Sequence, residues 1–427
     1  MNQTDFSSRS PRKNFETAYK VAYHQLFKDP DLNKHDAQWS PPIWVLSLGA
    51  GLAPFAVTLV APAIPAMAID LNADSNIAQL VLTTLLLSIA VGQLVAGPLS
   101  DRFGRKSLFL GGAIAYCVAG FGAVLSNTIE GIIFFRVIQG FGAAAAVAMS
   151  RSIVVDFYGR DRAADVMSTI IAMMAIIPIF GTSLGGILSD LVGWQGSFFM
   201  LAITGLVLAI FVGTQIQETH QPKNVFTFKD ALIGYRELLS TDRFLASALT
   251  TAFQTAVFFA MMGFIAYSFE RMNISAKEFG LWMATTSVGY VIGNLANKRF
   301  LKRYQIELIT LIGALVSLAG LFLMGFWHIN APYSPMSLAA PMLLVGLSNG
   351  VIIANTIVMS TSAVPRLKGS ATGLVGAMQM CAGGISGTVA IWLGADQDTN
   401  VGILILVVIS FCSLMSAWWS SRLQQSQ

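Results

Sequence analysis

The stretch Gly97-Pro-Leu-Ser-Asp-Arg-Phe-Gly-Arg-Lys106 places four charged side chains within six residues, between two long apolar runs. An apolar run of about 20 residues is long enough to cross a bilayer as a helix. Charged side chains are costly in hydrocarbon, so the chain between two such runs has to turn at a membrane surface. The stretch therefore predicts a tight turn that joins two membrane-spanning helices.

The composition extends this prediction to the whole chain. Of the 427 residues, 55% are hydrophobic and only 11% are charged, whereas a soluble domain carries about 25% charged residues. Twelve apolar runs follow one another, at 43–69, 77–99, 107–126, 129–154, 166–188, 197–214, 244–269, 279–296, 306–327, 336–363, 369–393 and 401–419. They are continuously apolar rather than alternating, which indicates helices instead of a β-barrel. The sequence predicts an all-α integral membrane protein with twelve transmembrane helices.

Positive charges indicate the orientation in the membrane. Of the 26 Lys and Arg, only Arg271 and Lys277 fall in loops after odd-numbered runs, and only Arg136 lies well inside a run. Positively charged loops face the cytoplasm, which predicts a multi-pass protein of the cytoplasmic (inner) membrane with both termini inside. The predicted parts are a cytoplasmic tail (1–42), a six-helix half (43–214), a cytoplasmic connector (215–243), a second six-helix half (244–419) and a cytoplasmic C-terminal tail (420–427).

The sequence contains no motif of catalysis or of cofactor binding. A P-loop, an HExxH and a GxSxG are all missing, and the three cysteines, Cys117, Cys381 and Cys412, are scattered in apolar runs. We therefore expect no enzymatic activity, no cofactor, no metal site and no nucleic-acid partner. Without a nucleotide-binding motif, transport driven by ATP is also disfavoured.

A weak internal repeat supports two equivalent halves. Gly97-Pro-Leu-Ser-Asp-Arg102 ends the second run of the first half, and Gly293-Asn-Leu-Ala-Asn-Lys298 ends the second run of the second half. The acid of the first copy, Asp101, is replaced by Asn297 in the second. Repeated halves around a central site are common in secondary transporters.

Several motifs together resemble the major facilitator superfamily. Residues 97–106 resemble its motif A, and Arg136-Val-Ile-Gln-Gly-Phe-Gly142 resembles motif B of its drug:proton antiporters. Pro178 with the glycines that follow it is similar to motif C, and Pro62-Ala-Ile-Pro65 and Gly369-Ser-Ala-Thr-Gly373 look most like the Bcr/CflA drug-resistance branch. The resemblance covers all twelve runs. It implies a monomeric secondary active exporter that exchanges small molecules for protons.

The charged turn is the first candidate site. Asp101 ends the second run, Arg105 follows one turn later, and Asp156 ends the fourth run. Partly desolvated charges attract one another more strongly than solvated ones. The resemblance implies that this cluster, helped by a helix N-terminus of the other half, latches the outward-facing-closed state. The alternative is a topology anchor that only keeps positive charge inside. The candidate latch comprises Gly97, Asp101, Arg102, Gly104, Arg105 and Asp156.

Arg136 is the second candidate site, because a charge inside a membrane span suggests function. The alternative is a structural arginine that binds backbone carbonyls of neighbouring helices. The resemblance assigns this arginine to coupling. The candidate coupling or substrate-cavity residues are Arg136, Gln139, Thr58, Gln254, Tyr290, Asn349 and Gln379. The glycines and proline of the fifth and eleventh runs predict a helix-packing hinge, formed by Pro178, Gly181, Gly185, Gly383 and Gly387.

The group that carries the proton is not evident from the sequence. All 22 Asp and Glu fall in tails, loops or run ends, and Thr58 stands where the resembled branch has an Asp. Asp156 and Glu270, both at run ends, are the candidates. A cavity with Arg136 and no acid favours neutral or anionic compounds over cations. The alternatives are a dedicated exporter of an endogenous metabolite such as a siderophore, a proton-coupled importer, and, less favoured, a membrane scaffold that transports nothing.

Overall fold

Helices make up nearly all of the described chain, which is residues 39–219, 228–331 and 334–425 of a computed structural model. The thirteen α-helices in these residues are α1 (Ile43–Val60), α2 (Ile64–Asp70), α3 (Ser75–Phe103), α4 (Arg105–Val124), α5 (Ile129–Val192), α6 (Gln195–Gln215), α7 (Phe228–Leu239), α8 (Asp242–Arg271), α9 (Ala276–Phe300), α10 (Ile306–Asn330), α11 (Pro335–Ala363), α12 (Lys368–Trp392) and α13 (Thr399–Gln425). Within the described residues, ten helical segments are long and apolar enough to cross a membrane. The protein is therefore an all-helical, multi-pass membrane protein.

The structure describes only part of the predicted N-terminal tail but nearly all of the predicted C-terminal tail. Residues 1–38, most of the predicted N-terminal tail, lie outside the described residues. At the other end, α13 continues to Gln425, so the predicted C-terminal tail is largely helical. The helix extends past its apolar part because an α-helix forms its hydrogen bonds within its own backbone, whatever its side chains.

Prolines divide the first apolar run. α1 ends at Val60, a 3-10 turn follows at Ala61–Ala63, and α2 begins at Ile64. Pro62 and Pro65 lack the amide hydrogen of a continuous helix, and the proline ring clashes with the preceding turn. The run is therefore one membrane-crossing segment that a 3-10 turn interrupts near its C-terminal end.

The predicted loop between the fourth and fifth runs does not exist as a separate loop. α5 runs from Ile129 to Val192, and its backbone leaves the helical conformation only at Gly159, with φ 67° and ψ −178°. A Cβ strongly disfavours this combination of angles, so glycine is the residue that permits it. A single residue therefore interrupts the helix where the apolar runs predict a polar loop of about ten residues.

The connector contains a helix that the apolar runs do not reveal. α7 packs Leu238, which is fully buried, against Phe244 and Ala371. The Tyr235 hydroxyl donates to the Leu94 carbonyl of α3 at 3.3 Å, and Glu237 pairs with Arg366 just before α12. Burial raises the pKa of Tyr235 above its ordinary value. The connector thus touches both α3 and the start of α12.

Two pairs of helices join the part of the bundle before α7 to the part after it. α3 packs along α12, and α5 packs along α9. Between α3 and the α12 side, the Ser75 hydroxyl donates to the Asp396 carboxylate at 2.5 Å, and the hydroxyls of Thr83 and Thr388 lie 2.7 Å apart. These bonds fasten the end of α3 that lies farthest from Asp101.

The second pair is fastened at the same end of the bundle. The Ser183 hydroxyl of α5 donates to the Gly280 carbonyl at 3.3 Å, and the Lys277 amide donates to the Asp190 carboxylate at 3.2 Å. We call these four bonds, Ser75–Asp396, Thr83–Thr388, Ser183–Gly280 and Asp190–Lys277, the closing contacts. Because α3 rises about 1.5 Å per residue, they lie about 40 Å from the charged turn along the bundle at their farthest point.

Glycines allow α9 and α11 to approach backbone to backbone. A Cβ added to Gly346 would lie 2.8 Å from the carbonyl carbon of Thr286, and one added to Gly293 would lie 2.9 Å from that of Leu347. Close contact of this kind replaces the hydrophobic effect as the attraction between helices in lipid.

This packing yields a first prediction. We expect Gly346→Ala to lower the free energy of unfolding by about 1–3 kcal/mol, because the new methyl group overlaps the backbone of α9. Thermal unfolding in detergent and abundance in the membrane measure the effect. Gly111→Ala is the matched control, since a Cβ there meets nothing within 4 Å. Equal stability of the two variants would contradict the proposed packing constraint.

Candidate functional site

The charged turn between α3 and α4 forms a compact ion cluster. The Arg105 guanidinium lies 2.9 Å from the Asp101 carboxylate and 3.1 Å from that of Asp156, and it also contacts the Ser100 hydroxyl. The Arg105 side chain is 13% exposed, and those of the two acids are 23% and 25% exposed. Two carboxylates thus converge on one partly desolvated arginine, an arrangement in which removing any member leaves the others imperfectly paired.

Three residues of the candidate latch form no ion pair in this cluster. Arg102 is exposed and stacks on the Phe103 ring, with its guanidinium carbon 5.3 Å from the ring centroid. Gly97 faces open space, since a Cβ there would meet nothing within 4 Å. Gly104 joins the two helices with φ 89°, a conformation that glycine adopts without strain.

The first turn of α12 does not take part in the cluster in this structure. No hydrogen bond joins Asp101 to α12 among the described residues, and a Cβ at Gly369 would also meet nothing within 4 Å. The help that the resemblance implies from a helix N-terminus of the other half is therefore not provided by α12 in this structure. The closing contacts are made instead, at the other end of α3.

Arg136 is completely buried and fastens three helices together. Its guanidinium donates to the Val81 carbonyl of α3 at 3.1 Å, to the Ala56 carbonyl of α1 at 3.0 Å and to the Gln139 side chain at 2.6 Å. The Phe198 ring of α6 lies against its guanidinium carbon at 5.2 Å. These contacts match the structural alternative for Arg136, because they use the cation to satisfy acceptors within the bundle.

Two further candidate residues, Gln139 of α5 and Thr58 of α1, are also buried. Gln139 accepts from Arg136, and its own amide nitrogen has no partner among the described residues. The Thr58 hydroxyl donates to the Pro54 carbonyl of its own helix at 2.9 Å. Thr58 packs against Gly181, where an added Cβ would lie 3.2 Å from the Thr58 Cβ.

The remaining cavity candidates lie apart from Arg136, on α8, α9, α11 and α12. Gln254 donates to the Ser317 hydroxyl at 2.9 Å, and Gln379 donates to the Thr251 hydroxyl at 2.9 Å. The side-chain oxygens of Gln254 and Asn349 have no partner among the described residues. Tyr290 is half-buried, and its carbonyl accepts from Asn294. Gln254 and Gln379 thus form separate interhelical bonds, and none of these four residues bonds to Arg136 among the described residues.

Comparison with known proteins identifies the family. Residues 46–388 match the sequence profile of the Major Facilitator Superfamily, and residues 244–425 match it a second time. The chain belongs to this superfamily. It is 28% identical, over 88% of this chain and 94% of the relative, to the bicyclomycin resistance protein homolog of Haemophilus influenzae. It is 29% identical, over 78% of each chain, to the chloramphenicol resistance protein of Pseudomonas aeruginosa.

A solved structure agrees on the fold. The inward-facing, unoccupied crystal structure of a bacterial homologue of the human lysosomal transporter Spinster superposes with a TM-score of 0.72 and 14% identity, over 89% of this chain and 97% of that chain. The resemblance predicted from residues 97–106 and Arg136–Gly142 is thus confirmed at the level of the superfamily. The members of this superfamily are transporters and not enzymes, which agrees with the prediction from the sequence.

Three of the four predicted hinge glycines pack against helices on their own side of the connector. Gly181 and Gly185 contact α1, and Gly383 contacts α8. Gly185 packs on the Leu59 carbonyl of α1, and Gly383 packs on Phe259 of α8. The glycines one residue later, Gly186 and Gly384, face the other part of the bundle and meet Ala276 and Thr83. Gly387 also faces across and packs on Gln79 of α3, whereas Pro178 lies inside α5 without a break in the helix.

Sequence reasoning missed three elements that the site uses. The Thr83–Thr388 pair joins positions 305 residues apart, and α7 lies in the connector, for which the apolar runs predict no helix. Glu218 also bonds to the charged turn from 113 residues away. An amphipathic pattern, with apolar residues three and four apart at 232, 235, 238 and 239, could have revealed α7. No local signal marks Glu218 or Thr83.

Proposed function

We propose that this protein is a secondary active exporter of drug-like, neutral or anionic small molecules, which works by proton antiport and alternating access. One observation carries the proposal: α3 bears an arginine-centred ion cluster at one end and hydrogen-bonded closure against α12 at the other. A helix with separable contacts at its two ends suits a bundle that opens at either side in turn. The resistance proteins named above support export of drugs.

The proposed architecture is twelve spans in two six-helix halves. α1 with α2 would form the first span, the two parts of α5 on either side of Gly159 the fourth and fifth, and α9 the eighth. The halves would be residues 43–214 and 244–419, linked by the cytoplasmic connector. The packing of α3 with α12 and of α5 with α9 supports this division, because these pairs join the two sets. We propose a monomer in the cytoplasmic membrane with both termini inside.

The structure supports an inward-facing assignment under this orientation. The closing contacts lie at the outer end, on Ser75, Asp190 and their partners. Toward the inner end, α3 and α12 remain in contact as far as Gln93 and Gly373, where an added Cβ would lie 3.8 Å from the Gln93 carbonyl oxygen, whereas added Cβ atoms at Gly97 and Gly369 would meet nothing within 4 Å. Opening to the outside would then require the closing contacts to break and the charged turn to engage α12.

The preference for neutral or anionic compounds rests on charge. Arg136 is the only charged residue deep within a predicted run, and no carboxylate balances it there. Two positive charges repel each other more strongly inside a protein than in water, because the dielectric constant is lower there. A buried Arg136 therefore disfavours a cationic substrate nearby. Asp156 and Glu270 are the proposed candidates for the proton-carrying group. The proposed contacts to the substrate in the cavity are the candidate residues Thr58, Arg136, Gln139, Gln254, Tyr290, Asn349 and Gln379.

Proton flux in proteoliposomes tests the proposal. A pH dye inside the vesicles reports proton movement when neutral, anionic or cationic compounds are added against a pH gradient. We expect neutral or anionic compounds to drive proton efflux, with protein-free vesicles as the control. Response to cations alone would contradict the charge preference, and transport without proton movement would contradict antiport. If substrate and proton move in the same direction, the result favours the proton-coupled importer. If only a siderophore elicits proton movement, the result favours the dedicated exporter.

A disulfide across the closing contacts provides a second prediction. In a variant without Cys117, Cys381 and Cys412, we expect Thr83→Cys with Thr388→Cys to form a disulfide on oxidation, since the native hydroxyls lie 2.7 Å apart. The bond should arrest transport by at least tenfold, and reduction should restore it. Thr84→Cys with Thr388→Cys is the control, because successive residues point about 100° apart around a helix, so Thr84 does not face Thr388 as Thr83 does. Full transport in the cross-linked protein would contradict alternating access through α3 and α12.

A further inference from the structure

Glu218, three residues beyond α6, caps the first turn of α4. Its carboxylate accepts from the Arg105 amide at 2.8 Å and from the Lys106 amide at 3.1 Å. An α-helix leaves its first amide groups without partners in its own backbone. A carboxylate at that position also interacts favourably with the helix dipole. The start of α4 is therefore held by the connector.

The charged turn is shaped to admit this carboxylate. α4 has no side-chain cap of its own, because the residue before it is Gly104. A Cβ at Gly104 would lie 2.9 Å from the carboxyl carbon of Glu218. Glycine at 104 thus serves two purposes, the positive φ of the turn and the space for Glu218.

The same segment has two more bonds to the ion cluster and its surroundings. The Thr219 hydroxyl donates to the Asp156 carboxylate at 3.4 Å, and the Lys106 ammonium donates to the Gly213 carbonyl at 3.1 Å. Residues 213–219 therefore contact the charged turn through both backbone and side chains. They lead directly into the connector that carries α7.

We propose that Glu218 is a further positioning residue of the latch, which orients Arg105 between Asp101 and Asp156 and couples the connector to the latch. The amide that Glu218 binds belongs to the residue whose guanidinium forms both ion pairs. Fixing the backbone of Arg105 restricts the directions that its side chain can take. This inference rests on the proposed function, since it assumes that the ion cluster acts as a latch.

Distances between spin labels test the proposal in the purified, full-length protein. Labels at Leu99→Cys and Lys368→Cys, in a background without native cysteines, report the separation of α3 and α12 near the charged turn. We expect Glu218→Gln to change the ratio of the two distance populations by about fivefold, the factor that corresponds to loss of a helix cap. The change should have the same direction as that of Arg105→Ala, and adding Glu218→Gln to Arg105→Ala should change nothing more.

Controls separate positioning from general effects. Glu130→Gln removes an acid from the first turn of another helix, α5, and should leave the populations unchanged. Glu218→Asp should restore part of the native ratio, which a merely local loss of structure would not do. An unchanged ratio in Glu218→Gln, or a shift that adds fully to that of Arg105→Ala, would overturn the proposal.

The design also separates this inference from the proposed function. The distances are measured without substrate or a pH gradient, so a failure to transport any compound leaves the result intact. If Arg105→Ala itself does not shift the populations, the latch is wrong. If Arg105→Ala shifts them and Glu218→Gln does not, only the role of Glu218 is wrong.

Discussion

Arg105→Ala should reduce transport by at least tenfold while leaving the protein folded. Arg105 forms ion pairs with Asp101 and Asp156 and a hydrogen bond with Ser100. A hydrogen bond to a charged group contributes about 1.5–3 kcal/mol. If the cluster differs between the two end states of the cycle, loss of one such bond shifts their equilibrium by about 10- to 150-fold. Efflux from proteoliposomes measures the loss.

The folded state should tolerate the same change. The side chains of the cluster are 13–25% exposed, so water partly screens the acids that Arg105→Ala leaves behind. Arg102→Ala is the matched control, since it removes a neighbouring positive charge that stacks on Phe103 and does not join the cluster. We expect near-normal transport for Arg102→Ala. Equal losses for both arginines would favour the topology anchor, in which only net positive charge matters.

Arg136→Ala should destabilise the protein by about 2–5 kcal/mol. The change removes two hydrogen bonds that link α5 to α1 and to α3 and a third to Gln139 within α5, and it leaves a cavity beside Phe198. Both the lost bonds and the cavity lower the free energy of unfolding. Thermal unfolding in detergent and abundance in the membrane measure the effect. Arg299→Ala, which removes an exposed arginine, should change neither.

A second variant separates the structural from the coupling role of Arg136. Arg136→Met fills most of the volume and avoids the desolvation of a charge, so it should be more stable than Arg136→Ala. If the role of Arg136 is structural, we expect the Arg136→Met variant to transport substrate and to keep the coupling of transport to proton movement. Normal stability together with uncoupled proton flux would contradict that role and support the coupling role implied by motif B.

Much of this protein is determined locally, by the sequence alone. Apolar runs determine the helices, because about 20 consecutive apolar residues have no stable alternative to a helix in lipid. Motif A is also local: Asp101, Gly104 and Arg105 lie within one turn, so their proximity follows from their order. The superfamily could be recognised from such segments, since their spacing is read directly from the chain.

The tertiary structure decided which faces of these helices meet. Gly186 rather than Gly185 packs against α9, and the hydroxyls of Thr83 and Thr388 lie within hydrogen-bonding distance. The guanidinium of Arg136 donates to carbonyls of α1 and α3. Glu218 reaches the charged turn from 113 residues away. Helices that are apolar on every side carry no stripe that reveals their rotation. The rotations, and with them these contacts, follow only from packing the whole bundle, because each helix settles where its small residues let its neighbours approach.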